Sequence, residues 1–170
     1  MKITFRYSQD RSSDYVFSTL LFFAFSMIVF AFLMDSPVAV VKGMGEILTQ
    51  PAALITDYIG IASIGAAFCN AALVMAFSAL LLRALKLPFA GMSISCCFLM
   101  AGFSLFGKNL LNILPILLGA FCYSLYRREH LARYIYIALF GTTLSPIVTE
   151  MALWAREWPA LPRMVFPTLV

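Results

Sequence analysis

The sequence predicts an all-α protein, a polytopic transmembrane helical bundle of about five spans. Three observations predict it. Hydrophobic residues make up 62% of the chain against 12% charged, with a mean hydropathy of +0.93, well outside the composition of a water-soluble domain. Apolar stretches of about 17 to 25 residues recur, the length a helix rising about 1.5 Å per residue needs to cross about 30 Å of hydrocarbon. The charged residues fall mainly between those stretches rather than within them.

The first stretch, residues 15–34, carries no charge and is bracketed by Asp14 and Asp35. Lys2, Arg6 and Arg11 precede it as the positive region of a signal peptide would. Its apolar run is too long for one, and no small-x-small cleavage site follows before Asp35; it reads as a retained anchor. The second stretch, 58–82, runs between Asp57 and Arg83, and the third, 88–106, opens at Pro88 and stops at Gly107-Lys108-Asn109, a polar, turn-forming break. The fourth, 109–126, contains Asn112 and Pro115; the fifth, 134–155, contains Gly141, Pro146 and Glu150. Between the first two spans, residues 36–57 carry Lys42, Gly43, Gly45, Glu46, Gln50 and Pro51 among Val, Ile and Leu. That is too polar to span and too apolar for a plain loop, leaving an amphipathic helix in the outer interface or a re-entrant segment buried by protein.

Orientation follows from the excess of Lys and Arg that cytoplasmic loops retain. With residues 1–14 inside, the inner segments hold Lys2, Arg6, Arg11, Arg83, Lys86, Arg127, Arg128 and Arg133, and the outer ones Lys42, Lys108, Arg156 and Arg163. This places the N-terminus in the cytoplasm and the C-terminal segment, 156–170, outside a cell membrane. The net charge of +4 therefore reflects topology, and nucleic acid is excluded as a partner because no basic, aromatic-laced soluble segment exists to bind it. The expected partners are the bilayer and a second copy or second repeat of the fold.

No cofactor, metal or catalytic residue is expected. Cys69, Cys96, Cys97 and Cys122 lie inside spans, where an apolar setting leaves thiols as inert small hydrophobes. The single histidine, His130, sits in a charged loop, which makes no metal site. Paired carboxylates, a Ser/His couple and a His-rich motif are all missing from membrane depth, so an intramembrane enzyme is the weakest of the function classes.

Polar groups within the spans are the functional clues, because hydrocarbon penalises them and they face protein or a water path. Asn70 lies among Gly60, Ser63, Gly65 and Ser78, where an amide serves either a pathway or interhelical packing. Asn109 and Asn112, three apart, share a helix face beside Lys108. If the third span ends short, these amides and the first free N–H groups of the next helix converge on a cavity suited to an anion or a neutral polar solute. The alternative is a short external turn with an ordinary lysine. Glu150 follows Pro146 by one helical turn; it is either an outer pathway group or part of an interfacial belt with Trp154, Arg156, Glu157 and Trp158.

The runs from Ala101 to Pro115 (AGFSLFGKNLLNILP) and from Ala138 to Pro146 (ALFGTTLSP) resemble an uncharacterised family of bacterial multi-pass membrane proteins, domain of unknown function 1576, over most of the chain. The resemblance implies a membrane bundle but brings no substrate, catalytic residue or cofactor. Members of that family are often longer, which implies that these 170 residues are a half-length or truncated form. An odd number of spans would enter the membrane inverted in a second copy, as in inverted-repeat transporters. In outline the chain is similar to one half of a urea-transporter-like fold, an analogy of architecture that carries no specificity residue. The expected function is therefore a small-solute transporter or channel, or half of one, with Asn70, Lys108, Asn109, Asn112 and Glu150 along the pathway; the competing expectation is an accessory or structural membrane subunit.

Overall fold

A computed structural model describes residues 11–49, 56–147 and 151. Within them the protein is all-helical, with seven α-helices and no strand: α1 (Arg11–Met34), α2 (Pro37–Thr49), α3 (Tyr58–Ile61), α4 (Ile64–Ala84), α5 (Gly91–Phe103), α6 (Leu110–Tyr126) and α7 (Ile135–Gly141). Two of these, α1 and α4, are long and apolar enough to cross a membrane; α5, α6 and the helical stretch Ile135–Ile147 are apolar but shorter.

The two long helices form the frame. They run antiparallel, fixed at both ends by aspartates that also bracket the first apolar stretch. At one end Arg83 of α4 donates to Asp14 at 2.5 Å; at the other Asp35 accepts the Gly65 N–H at 2.6 Å, occupying an N–H that the first turn of α4 would otherwise leave free. The approach there is close: a Cβ on Gly65 would lie 2.6 Å from the Ala31 carbonyl oxygen. Packing is one-sided on α1. It buries Leu20, Ala24, Met27 and Ala31, a single seam of 4-3-4 spacing, while Phe22, Phe25 and Leu33 stay 71%, 60% and 78% exposed. Central α4 is the opposite case, burying Asn70, Ala71, Val74, Met75, Ser78, Ala79 and Leu82.

The apolar stretch 58–82 is two helices rather than one. Asp57 accepts the Ile59 N–H at 3.0 Å and Ser63 accepts the Ala66 N–H at 3.1 Å, so one-turn α3 and long α4 each receive their own N-cap. Such local side-chain bonds offer the backbone an alternative to a continuous helix, and a hydropathy count does not register them. Within the segment between the first two stretches, α2 begins with Pro37 at its first position, where the missing N–H costs nothing. It lays Val40, Gly43 and Ile47 on the bundle; a Cβ on Gly43 would meet the Ala66 Cβ at 2.6 Å, so glycine lets α2 and α4 touch.

Helices α4 and α6 end without glycine. Lys86 and Arg128 take positive φ values of 56° and 54°, and Leu87 and Glu129 donate back to the Leu82 and Ser124 carbonyls, the Schellman pattern with basic residues in the left-handed position. Reversal at Lys86 brings α5 back antiparallel to α4: Phe89 donates to Ser13 of α1 at 2.9 Å, and Ser93 of α5 bonds Tyr136 of α7 at 2.7 Å. The core between these helices is built of Leu20, Met75, Leu82, Phe89, Cys97, Met100, Ile113, Leu117, Ile135 and Leu139.

Candidate functional site: the buried junction between α5 and α6

Between Phe103 and Leu110 the chain leaves the helix with Ser104, Gly107, Lys108 and Asn109 buried, so the backbone groups of these residues must find partners within the protein. Ser104, Leu105 and Phe106 donate to carbonyls three residues back, tightening the end of α5, and Lys108 donates to Phe103. Gly107 turns the corner with φ of 109°, a conformation that favours glycine. Asn109 then opens α6 with a reciprocal cap: its Oδ1 accepts from Leu111 and Asn112 N–H at 2.9 Å each, and Asn112 Oδ1 accepts the Asn109 N–H at 2.9 Å.

Three asparagine amides tie this turn to everything around it. Asn70, fully buried on α4, donates Nδ2 to the carbonyls of Ser104 at 2.7 Å and Lys108 at 2.8 Å, clamping both ends of the turn. Asn112 Nδ2 donates to the Gly107 carbonyl at 2.7 Å. Asn109 Nδ2 reaches the Ile47 carbonyl of α2 at 3.3 Å and the Tyr58 hydroxyl of α3 at 3.2 Å, and the Tyr58 N–H donates to Leu105. Five helices therefore meet at one short non-helical segment.

Lys108 points into the bundle and is 1% exposed. Its Nζ donates to Thr142 Oγ1 at 3.0 Å and to Met100 Sδ at 3.3 Å, and lies 5.3 Å from the centroid of the Phe103 ring. Thr142 passes its own proton to the Leu139 carbonyl at 2.6 Å. Every one of these partners is uncharged. Among the described residues no carboxylate is paired with Lys108; the ion pairs there are Lys42 with Glu46, Arg83 with Asp14 and Arg133 with Glu129. Loss of water holds the ammonium, which sits in the connection outside both flanking helices, down at about 8 against an ordinary 10.5. Two buried oxygens, Asn70 Oδ1 and Ser145 Oγ, have no hydrogen-bond partner among the described residues.

Four of the five residues singled out in the sequence, Asn70, Lys108, Asn109 and Asn112, are thus brought together by direct bonds. Their amide N–H groups close the junction itself, and the Asn109 cap occupies the first α6 N–H groups. Lys108 alone is directed away from the clamp toward α7. Glu150 lies outside the described residues, as do Trp154, Arg156, Glu157 and Trp158. The partners that sequence reasoning missed are Met100, Thr142 and Tyr58. Thr142 and Ser145 belong to the GTTLSP run and were legible as hydroxyls beside a proline; Met100 and Tyr58 look like ordinary core and span residues. Among the described residues the four cysteines are free and no three His, Cys, Asp or Glu side chains form a metal cluster.

A protein-family model described as "Protein of unknown function (DUF1576)" matches residues 36–163. It spans α2 to α7 and the whole junction, and leaves α1 outside the match. No curated protein and no solved structure matches the chain.

Proposed function

This chain belongs to the DUF1576 family, whose description assigns no activity, and from that premise we propose that it is a multi-pass protein of the cell membrane that moves a small polar or anionic solute. Catalytic chemistry has no part in this reading. The N-terminus is cytoplasmic, the bilayer covers the outer face, and a second copy or a second repeat completes the pathway.

Membrane residence is supported by α1. A helix apolar on all sides is ordinarily buried in a protein core or in lipid; α1 packs along one seam and leaves large aromatic and aliphatic side chains exposed, so lipid is the solvent that suits it. Transport is supported by one observation above the rest, the Lys108 ammonium enclosed at a non-helical junction, where its partners among the described residues are all neutral. An ionisable group enclosed in an apolar membrane bundle is costly, and proteins retain one there chiefly where it meets a solute or an ion. Broken backbone between apolar helices is also the feature on which many transporter sites are built.

A second reading has its own support. The amide N–H groups of Asn70, Asn109 and Asn112 all donate to internal acceptors, as a purely structural hub in an accessory subunit would require. Reconstitution separates the two. The chain in liposomes is given outward or inward gradients of chloride, nitrate, phosphate, urea and glycerol. Transport predicts flux above protein-free vesicles for at least one of these, reduced by Lys108→Ala. Background flux for all five, from an inserted and folded chain, would favour the accessory subunit.

A further inference from the structure

We propose that Lys108 is a proton-exchange site, which makes H⁺ the coupling ion of the transport cycle; the inference rests on the transport reading above.

The composition of its surroundings sets Lys108 apart. A lysine kept permanently charged in a protein interior is normally given a carboxylate. From α5 Lys108 meets the Met100 thioether and the Phe103 ring, and the Cys96 thiol, one turn before Met100, acts on it electrostatically. The turn that follows α7 supplies the Thr142 hydroxyl. From α4 comes the Asn70 amide, which binds the Lys108 carbonyl, and the start of α6 contributes only the amides of Asn109 and Asn112. Among the described residues Cys96 is the titratable group that acts on Lys108, and no carboxylate and no second cation is paired with it.

Thr142 is the informative partner because a hydroxyl both donates and accepts. With Lys108 as –NH₃⁺, Nζ donates to Thr142 Oγ1 while the hydroxyl proton goes to the Leu139 carbonyl, 2.6 Å away. With Lys108 as –NH₂, rotation of the same hydroxyl turns its proton onto the amine lone pair, 3.0 Å away. A carboxylate would favour the charged state alone; a hydroxyl serves both without moving the backbone. Among the described residues no second oxygen accepts from the ammonium, and one turn along from Thr142 the buried Ser145 hydroxyl also has no partner there. In the cycle, –NH₃⁺ releases one H⁺ to water on one side of the membrane, and –NH₂ takes one H⁺ from water on the other.

The test uses the reconstituted chain with a pH-sensitive dye trapped inside and the same five solute gradients. Internal pH is expected to shift in step with solute flux. Lys108→Arg retains a cation and its donors but does not deprotonate, so proton movement is lost in it; a purely structural cation would be replaced without loss. Lysine-Cε NMR of the wild type, assigned by the signal missing from Lys108→Gln, provides a check that needs no active variant, with a titration midpoint expected near 8. Solute flux without proton movement, coupling retained in Lys108→Arg, or no titration of Lys108 across the accessible pH range would overturn the inference and leave transport standing. Absence of any flux from folded wild type would instead defeat the transport reading, and coupling with it.

Discussion

The Asn70 amide donates to the Lys108 carbonyl at 2.8 Å while the Lys108 side chain runs the other way, to Thr142. One residue thus anchors the junction through its backbone and carries the enclosed charge through its side chain. The same clamp holds the Ser104 carbonyl, so α4 fixes where α5 stops and where the ammonium sits. The clamp and the charge are separable at this point, because the amide and the ammonium belong to different residues.

Replacing Asn70 by Leu removes the donors to two buried carbonyls. Leaving buried acceptors unpaired costs about 1–3 kcal/mol each, less where water or a neighbouring donor can substitute. Asn70→Leu is therefore expected to lower the unfolding temperature in detergent clearly, and Asn112→Ala, which frees the Gly107 carbonyl, to do so less. An unchanged transition in Asn70→Leu would mean that the clamp contributes nothing.

Lys108→Met should have the opposite effect, since replacing a buried charge by an apolar side chain of similar length is often neutral or stabilising. The sign with pH follows from the depressed value of about 8 against 10.5 unfolded. Between those values the unfolded chain binds more protons than the folded one, so wild-type stability gains with rising pH. Below about 8 the full burden of the ammonium is present; by 10.5 it is gone. The advantage of Lys108→Met over wild type should be greatest below pH 8 and shrink toward pH 10.5. A pH-independent difference in denaturation midpoints would contradict this.

Gly65→Ala places a Cβ 2.6 Å from the Ala31 carbonyl and 2.7 Å from Asp35 Oδ2, where backbone must give way. Overpacking of this kind costs about 1–3 kcal/mol, and here it also disturbs the bond from Gly65 N–H to Asp35 that fixes α1 on α4. Gly45→Ala, with open space around it, is the matched control and should leave thermal stability unchanged or slightly raised through helix propensity.

Helix class and the apolar stretches were legible because composition and run length report directly on what a chain can bury. Asn70, Lys108, Asn109 and Asn112 were legible as a group because polar side chains stand out against such a background. Their bonding was not. Whether the Asn109 amide faces a cavity or caps its own helix depends on the dihedrals of two residues, and Asn at an N-cap is favoured locally whatever lies beyond. Likewise the break at Ala62 and Ser63 hides inside an unbroken hydropathy signal, since serine at an N-cap competes with the helix through one hydrogen bond. The reversals at Lys86 and Arg128 were invisible for a different reason: glycine is the usual marker of that turn, and basic residues occupy it here.

The most direct test of the account is side-specific thiol labelling of single cysteines, Lys42→Cys, Lys86→Cys, Lys108→Cys and Arg128→Cys, in a chain lacking the native four. Lys42 is 80% exposed on its side chain and Lys108 is 1% exposed as a residue. A membrane-impermeant reagent on intact cells should label position 42, reach 86 and 128 only after permeabilisation, and leave 108 unlabelled in both. Reaction at 108 as fast as at 42 would place the junction on the surface, and labelling of 42 and 86 from the same side would contradict a bundle that crosses the membrane between them.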